Sequence, residues 1–270
     1  MIFINDINPE LFSYGPLTVR WYGMCFLIGI VLDYLILVYL FRKRGLALSY
    51  LDSLVIYLFF GLLIGARLGE ILFYEPAYYL QNPSEILKIW HGGLASHGAA
   101  IGIFFSYLLW IRIHKISFSK FADILVIPMP LAAMFVRIGN FFNSEIIGTK
   151  TGTDYGVIFK KLGEDFPRHP AQLYEAFLSF IVFLVLFFTY KKYYKKVPEL
   201  FFLFLYMLLY FLGRFFVEFF KDLHGPLPEN FSLTMGQVLS SIPILISVGW
   251  FLYSFFIKSI LQKSYSKNKK

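Results

Sequence analysis

The chain has a single cysteine in 270 residues, which excludes a disulfide framework, a cysteine-based zinc cluster and a thiol redox pair. Cys25 stands inside an apolar run and is not expected to act as a nucleophile. Metal-ligand clusters and nucleotide-binding motifs are absent, so no cofactor is expected. Residues 1–19 contain no lysine or arginine. Without a basic n-region, and with a first apolar run too long for a signal h-region, no cleaved leader is expected. Polar connections are short as well, and none is long enough to form a separate domain.

What the chain does have is apolar surface. Hydrophobic residues make up 58% of it and its mean hydropathy is +0.64, beyond the usual range of a soluble domain. Stretches able to cross about 30 Å of hydrocarbon cover 20–41, 53–74, 94–112, 122–143, 171–190, 200–220 and 236–257. The expected fold is an all-α polytopic membrane protein with seven transmembrane helices. Residues 1–270 should form one integral membrane domain, with the connections 75–93 and 144–170 making a small extracytoplasmic cap.

The net charge of +8 reflects where the cations fall. Fifteen Lys and Arg lie in 42–52, 112–121, 191–199 and 258–270, against six in 1–19, 75–93, 144–170 and 221–235. By the positive-inside rule the N-terminus is expected outside and the C-terminus in the cytoplasm. "YKKYYKK" and "KSYSKNKK" then read as cytoplasmic anchors beside membrane lipid, and no nucleic-acid role is expected.

Four arginines remain, Arg20, Arg67, Arg137 and Arg214, in or at the ends of the apolar runs. A charge near the bilayer centre costs about 2.5–3.5 kcal/mol on insertion scales, so each needs a reason. With the N-terminus outside, Arg67, Arg137 and Arg214 fall in the outer parts of their helices, level with Arg20, Tyr22, His97 and "RHPAQLYE" at 168–175. Glu70 follows Arg67 by three residues, Asn140 follows Arg137 by three and Glu218 follows Arg214 by four, spacings that share a helix face. Either these partners merely neutralise their arginines, or the group lines a polar cavity at the outer leaflet. Arg137 has no nearby acid on its N-terminal side and is the best candidate for an external anion, since a guanidinium offers phosphate a planar fork.

Gly61, Gly65 and Gly69 form a stripe that reads as helix packing. Asp123 reads as an N-terminal charge on its own helix. Asp33, near mid-depth, has no evident partner. "HGGLASHG" at 91–98 opens the third apolar run. Its glycines allow backbone to bend and to bring amides close to a ligand, and a neutral imidazole can take a proton near pH 7. An interfacial histidine at a helix start is the plain alternative. His97 should lie deeper than His91, which is expected to matter less.

These segments carry a resemblance. "HGGLASHG" resembles the histidine–glycine motif of prolipoprotein diacylglyceryl transferases. "RIGNFFNSEIIG" at 137–148 is similar to that family's signature, here Arg137, Asn140, Asn143, Glu145 and Gly148. "RWYG" at 20–23, "RHPAQLYE", "YFLGRFFVEFF" at 210–220 and "SLTMGQVLS" at 232–240 follow in family order. Ala95 and Ser96 replace the usual Ser-Phe before His97, and Val136 replaces a usual Gly. The resemblance implies transfer of the diacylglyceryl group of phosphatidylglycerol to the lipobox cysteine thiol of bacterial prolipoproteins, at the plasma membrane. It implies a thioether product, released glycerol phosphate and no cofactor beyond the donor lipid. On that basis Arg137 and Asn140, with Glu145, Gly148, Tyr22 and Tyr210, are the expected phospholipid-binding residues. His97 is the expected base, Arg214 the cation for the leaving phosphate and Glu218 its orienting carboxylate. No metal is expected, and the protein is expected to be a monomer. A transporter of an anionic or lipid substrate is the competing class.

Overall fold

The computed structural model describes residues 1–15, 17–88, 92–222 and 233–267. His91 and Trp90 lie outside the described residues. Among the described residues, six helical spans are long and apolar enough to cross a membrane: Trp21–Arg44, Leu48–Phe73, Phe121–Phe142, Ala171–Tyr193, Phe201–Phe220 and Met235–Phe256. A shorter apolar helix covers His97–Ile113, so all seven expected runs are helical. The protein is a multi-pass membrane protein. By packing the chain falls into two compact units, Leu37–Phe121 and the remainder, Met1–Ile36 with the residues from Ala122 onward.

In the smaller unit, α2 (Leu48–Phe73) packs on α4 (Ser96–Ile113), with α3 (Pro76–Gln81) and a 3-10 turn, Pro83–Leu87, between them in sequence. The glycine stripe meets glycines. A Cβ on Gly69 would lie 2.7 Å from the Cα of Gly98, and one on Gly65 would lie 2.7 Å from the Cα of Gly102. Only hydrogen fits at such a crossing, and close backbone approach is how helices associate where lipid removes the hydrophobic drive. Gly98 belongs to the histidine–glycine motif, so part of that motif is there for packing.

The larger unit holds most of α1 (Trp21–Arg44), α6 (Met129–Phe142), α7 (Ala171–Tyr193), α8 (Phe201–Val217) and α9 (Met235–Lys267), while α5 (Phe118–Leu125) leads into it. The fourth run is not one continuous helix, as its composition led us to expect. A turn at 126–128 separates α5 from α6, with Pro128 at the N-cap of α6 and Pro130 in its first turn. Proline fits there because those amides have no intrahelical acceptor. Asp33 of α1 lies close to this start, where its carboxyl is hydrogen-bonded to the backbone of Ala132. The residue that the sequence left unexplained therefore has a backbone partner in the second half of the broken run.

Asp123 caps a helix, but not its own. Its carboxylate accepts from the amides of Leu200 (2.8 Å) and Leu203 (2.9 Å) at the start of α8. α9 begins with a capping box, in which the Thr234 hydroxyl accepts from the Gln237 amide and the Gln237 side chain accepts from the Thr234 amide.

Among the described residues, four short strands accompany the helices. β1 (Ile2–Asn5) runs parallel to β4 (Gly156–Phe159), and β2 (Glu10–Tyr14) is antiparallel to β3 (Leu17–Arg20). Asn5, fully buried, donates to the Phe141 carbonyl at 3.0 Å. Phe141, Val157 and Phe159 form a small apolar core beneath the strands. The connection 144–170 thus gains its order from the N-terminal residues.

Candidate functional site

Each of the three intramembrane arginines has its own kind of environment. Arg67 of α2 is saturated. Its Nε donates to the Ile86 carbonyl (3.0 Å), Nη1 to those of Gly92 (2.6 Å) and Gly93 (2.9 Å), and Nη2 to those of Glu85 and Lys88. A guanidinium has five N–H donors, and here five carbonyls take them. Gly92 and Gly93 hold φ of +90° and +71°, which turns their carbonyls onto the arginine. These glycines shape the backbone as the motif suggests, and their carbonyls serve Arg67. Arg67 forms no ion pair with Glu70 among the described residues; its guanidinium also lies over Tyr79, 4.8 Å from the ring centre. It ties down a connection and has no donor left for a substrate.

Arg137 of α6 is oriented but not saturated. Its Nε lies 2.7 Å from Oε2 of Glu175 on α7, as an ion contact rather than an aligned hydrogen bond. Nη1 donates to Asn140 Oδ1 at 3.3 Å, the partner that the i+3 spacing predicted. Nη2 makes no hydrogen bond among the described residues. The absence of an acid in its own helix therefore did not mean absence of an acid: Glu175 arrives from another. The 137–148 signature closes on itself, because Asn140 and Asn143 donate to the two oxygens of Glu145 at 3.1 and 3.2 Å. Gln172 of α7 holds the Glu145 carbonyl at 2.6 Å.

Glu175 continues the network. Its Oε1 lies 2.8 Å from Nζ of Lys221, which lies 3.1 Å from Oε2 of Glu218. Glu175, Lys221 and Glu218 are 4%, 7% and 4% exposed, so Arg137 and these three residues form a nearly dry run of alternating charge. Glu218 sits against Gly236 in the first turn of α9, where a methyl group would overlap its carboxylate; the positive end of a helix suits that charge. Glu218 does not pair with Arg214, as the i+4 spacing had suggested. Arg214 of α8 has a buried Nε without a partner and makes no ion pair among the described residues.

The backbone around Lys221 is pinned. Thr149 N donates to Phe220 O at 2.9 Å and Asp222 N to Ile147 O at 3.1 Å. Gly148 lies between the His169 and Phe220 carbonyls with no room for a side chain, which gives this signature glycine a packing reason. Arg168 binds both Glu164 oxygens at 2.6 Å, Asp222 at 2.5 Å and the Gly148 carbonyl at 3.0 Å. The hydrogen-bonded Glu164, aided by Asp222, raises the Arg168 pKa against the opposing effect of burial.

A family model described as prolipoprotein diacylglyceryl transferase matches residues 9–253. The chain belongs to that family. It is 43% identical to the phosphatidylglycerol–prolipoprotein diacylglyceryl transferase of Tolumonas auensis over 251 residues, covering 92% of this chain and 95% of that one. It is 40% identical to the enzyme of that name from Bacteroides fragilis, over 92% of this chain and 93% of the relative. A third, from Chloroherpeton thalassium, is 37% identical over 90% and 91%.

For a transferase of this family the remaining expected residues fall as follows. Tyr22 of α1 packs on α6 at Gly139, where an added Cβ would lie 3.0 Å from its ring. Tyr210 on α8 pairs with Tyr206 at 5.5 Å between ring centres. His97 is exposed in the first turn of α4 and makes no hydrogen bond among the described residues. Glu175, Lys221 and Gln172 join the network around Arg137 and Glu145 without having been among the expected site residues. Glu175 closes the quoted "RHPAQLYE", and Lys221 follows Glu218 by three, a spacing that shares its face. Among the described residues no group of His, Cys, Asp and Glu is arranged to hold a metal.

Proposed function

We propose that this protein transfers the diacylglyceryl group of phosphatidylglycerol to the lipobox cysteine of prolipoproteins. The observation that carries the reading is Arg137, held at Nε by Glu175 and through one N–H of Nη1 by Asn140, with the rest of its Nη edge without a partner among the described residues, in a chain of this family. Phosphate is the natural occupant of that edge, because two parallel N–H donors match two of its oxygens. Asn140 adds an amide beside it, held in place by Glu145. Arg214, with no carboxylate to satisfy it, is the cation for charge developing on the leaving phosphate.

The reaction is a substitution at a glycerol carbon. The substrate thiol loses its proton, and the thiolate attacks the carbon that carries the phosphate. A sulfur–carbon bond forms while the carbon–oxygen bond breaks, and its electron pair leaves with glycerol phosphate. His97 is assigned the thiol proton on its chemistry, an imidazole with no hydrogen bond to give up. Tyr22 and Tyr210 line the lipid pocket. No cofactor enters this scheme, the working unit is a monomer, and no nucleic acid takes part. Transport is not favoured, because the relatives are named as transferases.

The distribution of the cationic segments supports a reaction at the outer leaflet of the bacterial plasma membrane, with the N-terminus outside and the C-terminus in the cytoplasm. A reporter between Gly152 and Asp154 should read external, and one after Lys270 cytoplasmic. The activity itself is tested with purified protein, labelled phosphatidylglycerol and a lipobox peptide. Thioether-linked label on the peptide is expected, and its absence with folded protein would refute the reading.

A further inference from the structure

Lys221 is buried, charged and outside any step of the scheme above. It touches two carboxylates on different elements, Glu175 Oε1 at 2.8 Å and Glu218 Oε2 at 3.1 Å. Glu175 gives its other oxygen to Arg137. We propose that Lys221 is a positioning residue for phosphate recognition: by occupying one oxygen of Glu175, it makes that carboxylate orient Arg137 through Nε without neutralising it.

The argument is one of charge and geometry. Arg137 and Lys221 against Glu175 and Glu218 sum to zero. Removal of the Lys221 charge leaves two carboxylates against Arg137 in a setting that is nearly dry, where each charge is felt strongly. Glu175 would then have a free oxygen beside an unsatisfied guanidinium. A two-point carboxylate–guanidinium pair is the preferred geometry, so Glu175 would compete for the edge that the lipid phosphate needs. Lys221 prevents this because it is held: its neighbours are paired to 147–149, and Asp222 is gripped by Arg168. The mere stability of a buried ion pair would not require this arrangement, since such pairs repay their desolvation poorly.

This inference rests on the proposed phospholipid reading, so its test separates binding from transfer. Phosphatidylglycerol binding is measured directly in mixed micelles with phosphatidylcholine as carrier, beside KM and kcat for peptide lipidation. Lys221→Met should weaken binding and raise KM by about tenfold, the effect of one close charge, with kcat changed by less than about threefold. Lys221→Arg should bind within about twofold of the parent, since it restores the cation. The decisive variant is the double one, Lys221→Met with Glu175→Gln. It removes the surplus negative charge yet keeps an oxygen for Arg137 Nε, and should recover most of the lost binding. Unchanged lipid binding in Lys221→Met, or a double variant no better than the single one, would overturn the proposal. If Lys221→Met does not fold, the double variant against Lys221→Arg decides in the same way. Failure of peptide lipidation in the unmutated protein, with phosphatidylglycerol still bound, would strike the reaction scheme and leave this inference standing.

Discussion

Arg67 and Arg137 read alike in the sequence, each late in an apolar run with a polar residue three positions on, yet their surroundings are opposite. Arg67 spends all its donors on carbonyls of 85–93, which neither titrate nor move aside. Arg137 meets carboxylate at one edge only, and Lys221 shares that carboxylate. The first is a staple and the second a socket. What an arginine does in a membrane depends on whether its partners consume its donors or only aim them. The helices around them differ in kind too: α2 and α4 meet at bare backbone, whereas α6 and α7 are joined through buried charge.

The contrast can be broken at several points. The largest effects are expected where donors are free. Arg214→Lys keeps the charge but loses the planar fork, and kcat for lipidation should fall by about a hundredfold. Near-normal turnover would mean that only the local field matters. His97→Asn keeps polarity without basicity and should also lose about a hundredfold or more, while phosphatidylglycerol binding stays within about twofold. Loss of lipid binding in that variant would make His97 structural.

Smaller effects, read as stability, belong to the packing. Gly98→Val puts a branched side chain where a single Cβ would already lie 2.7 Å from the Cα of Gly69. It should cost about 2–3 kcal/mol, seen as a lower melting midpoint in detergent. The smallest are the helix caps. Asp123→Ala should cost about 1 kcal/mol at the start of α8; an unchanged midpoint would remove Asp123 from the cap.

What could be read without coordinates was whatever lies within one helix or one run. Apolar length located the seven helices, and the i+3 spacing paired Arg137 with Asn140. Partners brought from other elements were invisible, which is why Asp33 looked idle, Asp123 was given to its own helix and Arg137 looked free of acid. The proline break at 126–128 was legible in "IPMP" but was outweighed by the continuity of the apolar run. Strands of four or five residues at the N-terminus carry too little periodicity to show. The i+4 pairing of Arg214 with Glu218 failed because Lys221, three residues further on, takes the carboxylate.

The most direct test sets the two arginines side by side. Arg67→Lys and Arg137→Lys are compared for lipidation of a lipobox peptide with labelled phosphatidylglycerol, each rate divided by the amount of folded protein. Arg67→Lys should unfold at lower temperature, yet each folded molecule should keep turnover within about threefold, because the lost hydrogen bonds belong to the fold. Arg137→Lys should fold normally and lose about a hundredfold in activity, because an ammonium cannot hold phosphate at two points. Full activity in folded Arg137→Lys, or its loss in folded Arg67→Lys, would contradict the account.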